Sequence, residues 1–186
     1  MKNINKFNFI LGLVIAGVMS RIIPHLPNFT AVGATALFAG SMMKPKWVAS
    51  LLPLFILWLS DLFLNNGMYK NMYPEYYKGW VWTGSLWVYT GFVLITLAGN
   101  YFIKEIKVKS ILKASLSASM LFFLLTNFGV WLNNPMWPQS FGGLMNCYVF
   151  ALPFFWNTLA ADLLFSGLIF GIYVYVQEKG LISNKI

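Results

Sequence analysis

Five acidic residues and one histidine are all the ordinary acid–base chemistry this sequence offers. Two of the acids, Asp61 and Asp162, lie inside apolar runs, and the only arginine, Arg21, stands at the end of another. If those runs cross a membrane, each charge costs about 2.5–3.5 kcal/mol on insertion scales and needs a partner or a water-lined surface. Counted from the ends of their runs, Arg21 and Asp61 reach the same depth and are placed to form an ion pair. Such a pair either closes a bundle or contacts a ligand. Asp162 follows Thr158 by one helical turn, so the two share a face with Asn157 beside them. Another run supplies Thr126 and Asn127 in its second half. These groups serve equally well as interhelical hydrogen bonds or, together with Asp61, as the polar floor of a pocket.

The histidine, His25, sits between Pro24 and Pro27 in the stretch S-R-I-I-P-H-L-P-N-F-T. The prolines break a helix there, and Asn28 or Thr30 is placed to cap the next one. The candidate ligand set is therefore Arg21, His25, Asn28, Asp61, Asn127, Asn157 and Asp162, with His25 and Asn28 at the pocket mouth.

Enzymatic chemistry finds little support. The sequence has no G-x-S-x-G, H-E-x-x-H, P-loop or Gly-rich dinucleotide fingerprint. One histidine cannot build a multi-histidine metal site, and the lone Cys147 excludes an intrachain disulfide and a multi-cysteine zinc site. Two aspartates on different helices do not make an acid/base pair. The expectation is a protein without catalytic residues, metal or cofactor.

The elements that must position these residues follow from composition. Of 186 residues, 59% are hydrophobic and 10% charged, with 17 Phe, 9 Tyr and 8 Trp, which suits lipid-facing surface and interfacial aromatic belts. The formal charge of +8 does not indicate nucleic acid, because the lysines cluster between apolar runs without a nucleic-acid-binding motif. With about 20 residues needed per membrane crossing, the charges divide residues 1–186 into a single transmembrane domain of six spans. These run about 7–23, 29–43, 47–64, 83–102, 110–132 and 147–176. Lys2 and Lys6 before the first run imitate a secretory signal, but no A-x-A site follows and the run reads as the first span. The second span is short and rich in Ala and Gly, as befits a helix inside a bundle or one that begins part-way down the membrane. In the sixth, Pro153 is expected to separate a leading segment from the span proper.

Alternating the spans puts ten Lys residues on one side and Arg21, Lys70 and Lys78 on the other, so both termini are expected to be cytoplasmic. Residues 65–82 and 133–146 then face outward. Both are mixtures of aromatic, Met, Asn, Pro and Gly residues, fit for an interfacial belt or for two lids over an outward-facing pocket. Gly12, Ala16 and Ser20 form a small-residue stripe suited to close helix packing or partner docking, and Ala114, Ser115, Ala118 and Ser119 form another. A faint echo between L-P-L-F-I-L-W-L-S-D-L-F and L-P-F-F-W-N-T-L-A-A-D-L-L fits an inverted repeat of three spans.

The segments N-F-T-A-V-G-A-T-A-L-F-A-G, W-L-S-D-L-F-L, L-L-T-N-F-G-V-W-L and F-F-W-N-T-L-A-A-D-L-L-F resemble those of a family of small uncharacterised bacterial membrane proteins, over nearly the whole chain. That family in turn resembles the S components of energy-coupling factor (ECF) vitamin transporters. The resemblance implies an all-α, integral membrane six-helix bundle of ECF S-component type in the bacterial inner membrane. It further implies a substrate-binding subunit, itself no ATPase, that captures a small-molecule ligand of vitamin type at its outer face. Its partners would be membrane lipid and a transmembrane coupling protein with two ATPases. S components dock through an A-x-x-x-A stripe on the first helix, matched here by Gly12, Ala16 and Ser20. The reading held against this one is a non-transporting membrane assembly or interaction protein.

Overall fold

The computed structural model describes residues 6–181, which form helices and connecting turns with no strand among them. Six main helices follow one another: α1 Lys6–Ile22, α2 Val32–Met42, α3 Lys46–Phe63, α4 Leu86–Phe102, α5 Val108–Asn133 and α6 Phe141–Glu178. The helix of α3 does not stop at Phe63. It widens into a π-helical stretch, Leu64–Tyr69, and closes with Lys70–Met72, giving a continuous 27-residue unit, Lys46–Met72. The first eight residues of the segment read from sequence as an outer loop are thus mostly helical. Nor does Pro153 divide the last span, because it lies inside a continuous 38-residue α6. The apolar run alone hid this, since α6 starts in polar, Gly-rich sequence, where Ser140 accepts a hydrogen bond from the Gly143 N–H at 3.2 Å.

Lys46–Met72, Val108–Asn133 and Phe141–Glu178 are long and apolar enough to cross a membrane, and α1, α2 and α4 are shorter apolar helices. Large hydrophobic side chains such as Trp47, Leu116, Phe150, Leu168 and Ile172 lie exposed around the bundle. A soluble monomer rarely exposes apolar surface on this scale.

The bundle is organised around its shortest member. α2 has 11 residues, and every position from Val32 to Gly40 is buried. Helices α1, α3, α4, α5 and α6 all touch it. So much helix can converge on α2 because it is built from small residues. A Cβ at Gly40 would overlap the Thr96 carbonyl oxygen of α4, and one at Gly99 of α4 would overlap the Leu37 carbonyl oxygen of α2. The two backbones therefore cross in direct contact. Phe38, flanked by Phe9, Phe170 and Tyr173 at centroid distances of 5.2–5.5 Å, fills the space where α1, α2 and α6 meet.

Neither Asn28 nor Thr30 caps α2. The N-cap is Ala31, without a side-chain cap, and its N–H donates to Ser20 Oγ of α1 at 3.0 Å. Asn28 instead takes a left-handed conformation (φ 64°) that turns the elbow, a role for which asparagine is well suited. At the other end Lys46 Nζ donates to the Gly40 carbonyl at 2.8 Å, placing a cation at the negative end of the helix.

Gly40→Val and Gly99→Val are expected to lower thermal stability in detergent strongly, by more than the about 1–3 kcal/mol of ordinary overpacking, because backbone has to move. Gly12→Val, where nothing lies within 4 Å, should leave the unfolding temperature almost unchanged.

Candidate ligand-binding cavity

Eleven residues at about 1.5 Å each make α2 about 16 Å long, roughly half the about 30 Å hydrocarbon core. Above its N-terminus the surrounding helices continue, and there the bundle encloses a cavity of about 590 Å³. Val32 and Gly33 of α2, with Asp162 and Thr158 of α6, supply its lower lining; Leu57, Val88, Phe92, Ile95 and Phe122 supply apolar wall. The end of α1 contributes Arg21, the elbow after it His25, Asn28 and Thr30, and the helical extension of α3 Met68, Tyr69 and Met72, with Tyr73 directly after it.

The expected ion pair is present. Arg21 Nη2 lies 2.8 Å from Asp61 Oδ1, while Nη1 donates to Ser60 Oγ at 2.8 Å and to the Leu57 carbonyl at 3.3 Å. Tyr89 Oη donates to the second carboxylate oxygen, Oδ2, at 2.9 Å. Gly84 packs so closely on that oxygen that any Cβ would overlap it. Asp61 is thus covered on its far side and absent from the cavity lining, while Arg21 is present in it.

Asp162 meets the other half of the expectation. It is 2% exposed, lines the cavity with Thr158, and accepts from Ser119 Oγ of α5 at 2.6 Å. Its Oδ1 lies where a Cβ on residue 33 would go, so the carboxylate rests against the first turn of α2.

The two remaining asparagines do not line the cavity. Asn157 Nδ2 donates to the Pro27 carbonyl at 3.0 Å, tying α6 to the elbow. Asn127 Nδ2 donates to the Phe123 carbonyl at 2.8 Å within α5, and Cys147 Sγ lies 3.5 Å from its backbone oxygen at the α5–α6 contact. Nor does the second expected lid reach the cavity, since residues 132–139 surround a separate shallow depression. The first lid does line it, through a helix where a loop was expected. Asn66 holds that region, donating from Nδ2 to the Val81 carbonyl and accepting from the Val81 N–H through Oδ1, both at 2.8 Å.

His25 sits exposed at the mouth. As its Nδ1–H tautomer it donates to the Leu26 carbonyl at 2.7 Å. Ser20, expected on an outward docking stripe, turns inward: its hydroxyl donates to the Gly17 carbonyl at 2.8 Å and accepts the Ala31 N–H. Gly12 and Ala16 remain exposed. The second stripe is buried against α6, where Ser115 Oγ lies 3.2 Å from Ser166 Oγ. Sequence reasoning did not single out Ser60, Tyr89 or Gly33. Tyr89 was one of nine tyrosines with no pattern to separate it, whereas Ser60 directly precedes Asp61 and Gly33 sits in the small-residue run.

Fold and site together define an all-helical protein, three of its helices long and apolar enough to cross a membrane, around a partly apolar cavity lined by a buried carboxylate. The chain belongs to a family of unknown function, DUF6580, whose model it matches over residues 1–183. No curated protein and no solved structure matches it.

The ion pair predicts a measurable coupling. Arg21→Ala and Asp61→Ala should each destabilise the protein by about 3–5 kcal/mol, since each leaves a poorly solvated charge without its partner. The double alanine variant should lose clearly less than the sum in detergent unfolding; additive losses would show that the contact carries no energy.

Proposed function

We propose that this protein is the substrate-binding membrane subunit of a micronutrient uptake transporter, of the kind the ECF S components exemplify. The observation that carries the reading is the cavity above α2. Its volume lies within the about 300–1,000 Å³ of small-molecule sites, and its wall is apolar and aromatic with a few convergent polar groups. In this reading the chain passes through the inner membrane six times with both termini in the cytoplasm, the second passage combining the elbow with the half-length α2. The excess of lysine at the lower helix ends supports that orientation. The ligand enters from outside, past His25, Asn28 and the Met–Tyr face of the α3 extension. Gly12 and Ala16, exposed on α1, offer a close-packing face for a transmembrane coupling protein that works with two ATPases.

The same exposed small residues favour a second reading, a membrane protein for assembly that transports nothing. It requires a stable partner in detergent pull-downs and no stabilisation by any small molecule.

Thermal-shift measurements on the purified protein with a panel of vitamins and related ring compounds separate the two. The transport reading predicts that at least one compound raises the unfolding temperature. At a hundred times its Kd, stabilisation is about 2.7 kcal/mol. His25→Ala should weaken that compound's binding while leaving the ligand-free unfolding temperature unchanged. If no compound stabilises the protein, the assembly reading prevails.

A further inference from the structure

The cavity has one feature that narrows its ligand. Arg21 brings a positive charge to the lining, but Asp61, Ser60 and the Leu57 carbonyl engage both its terminal nitrogens, so the pair as a whole is neutral. Asp162 has no such counterpart. Among the described residues the ion pairs are Arg21–Asp61 and Lys107–Glu105, and the only side-chain hydrogen bond to the Asp162 carboxylate comes from Ser119, on Oδ2. Its other oxygen packs against Gly33 in the first turn of α2. One turn above, the Thr158 hydroxyl donates to the Phe154 carbonyl at 2.9 Å, which leaves its lone pairs as what it offers the cavity. The polar lining beside α2 therefore includes a carboxyl group that no cation of the protein partners. Tyr69, Tyr73, Phe92 and Phe122 line the same cavity, and aromatic rings favour a cation.

Resting on the reading of the cavity as a small-molecule site, we propose that its ligand is a planar, nitrogen-bearing cation that directs an N–H donor at Asp162. The ring system stacks among the aromatic walls, and the charged nitrogen supplies the counter-ion that the protein lacks at this carboxylate.

Three fused-ring probes of one size test this with full-length protein in neutral detergent: proflavine as the cation, acridone as the neutral ring and acridine-9-carboxylate as the anion. Proflavine should bind about tenfold more tightly than either of the others. Asp162→Asn should abolish that preference, whereas Glu75→Gln, at an exposed loop carboxylate, should keep it. If Asp162→Asn does not give folded protein, the preference of the wild-type chain decides alone. Equal or tighter binding of the neutral or anionic ring overturns the inference, as does a proflavine preference that survives Asp162→Asn in folded protein. Failure of all three rings to bind also overturns it, while the small-molecule reading stands or falls separately on the nutrient panel.

Discussion

The rest of the structure depends on burying α2. A helix with every position from Val32 to Gly40 out of solvent has no exposed face through which to relieve its ends or its neighbours. Polar side chains stand at both ends: the Asp162 carboxyl group packs against Gly33 in the first turn, and the Lys46 ammonium donates to the Gly40 carbonyl. Its sides are met by backbone, because Gly40 and Gly99 let α2 and α4 approach without intervening side chains. These are the conditions under which a short helix persists in apolar surroundings, where an unsatisfied backbone group costs several kcal/mol.

The cavity is a consequence of that length. A full-length helix at the centre would fill the bundle from end to end, whereas α2 stops half-way and leaves the upper volume to its neighbours. What keeps that volume from collapsing is the elbow of residues 23–31 and the extension of α3. The elbow is fastened at Ser20, which accepts the Ala31 N–H, and at Pro27, whose carbonyl accepts from Asn157. The Arg21–Asp61–Tyr89 cluster joins α1, α3 and α4 at this height. One carboxyl group thus consolidates the wall, and the other lies buried in the lower lining of the cavity.

Several of these features were legible in the sequence. Depth counting paired Arg21 with Asp61, and the i, i+4 spacing put Thr158 and Asp162 on one face, because regular helices convert sequence position into height and angle. The Ala and Gly content of the second span implied a buried or shortened helix, and α2 is both. Sequence position does not reveal which neighbour a polar group selects once an intrahelical carbonyl is within reach. Asn127 bonds to its own helix, and Asn157 to the elbow. Pro153 carried the opposite lesson, for a proline interrupts only one turn of hydrogen bonds and a packed helix continues through it. The extension of α3 was hidden because N-N-G-M-Y-K-N-M has the composition of a loop, yet it folds as helix, held to the following segment by the Asn66–Val81 bonds.

The central claim is that a water-accessible cavity opens outward above α2. Thiol labelling tests it most directly. In a Cys147→Ser background, which removes the only native cysteine, Thr158→Cys places a thiol in the cavity, and Leu168→Cys places one on the exposed apolar face of α6. The reactive species is the thiolate, which needs water. A membrane-impermeant maleimide added to intact cells should modify the thiol at position 158 and spare the one at position 168. Labelling at position 158 only after the cells are opened, or not at all, would contradict the account.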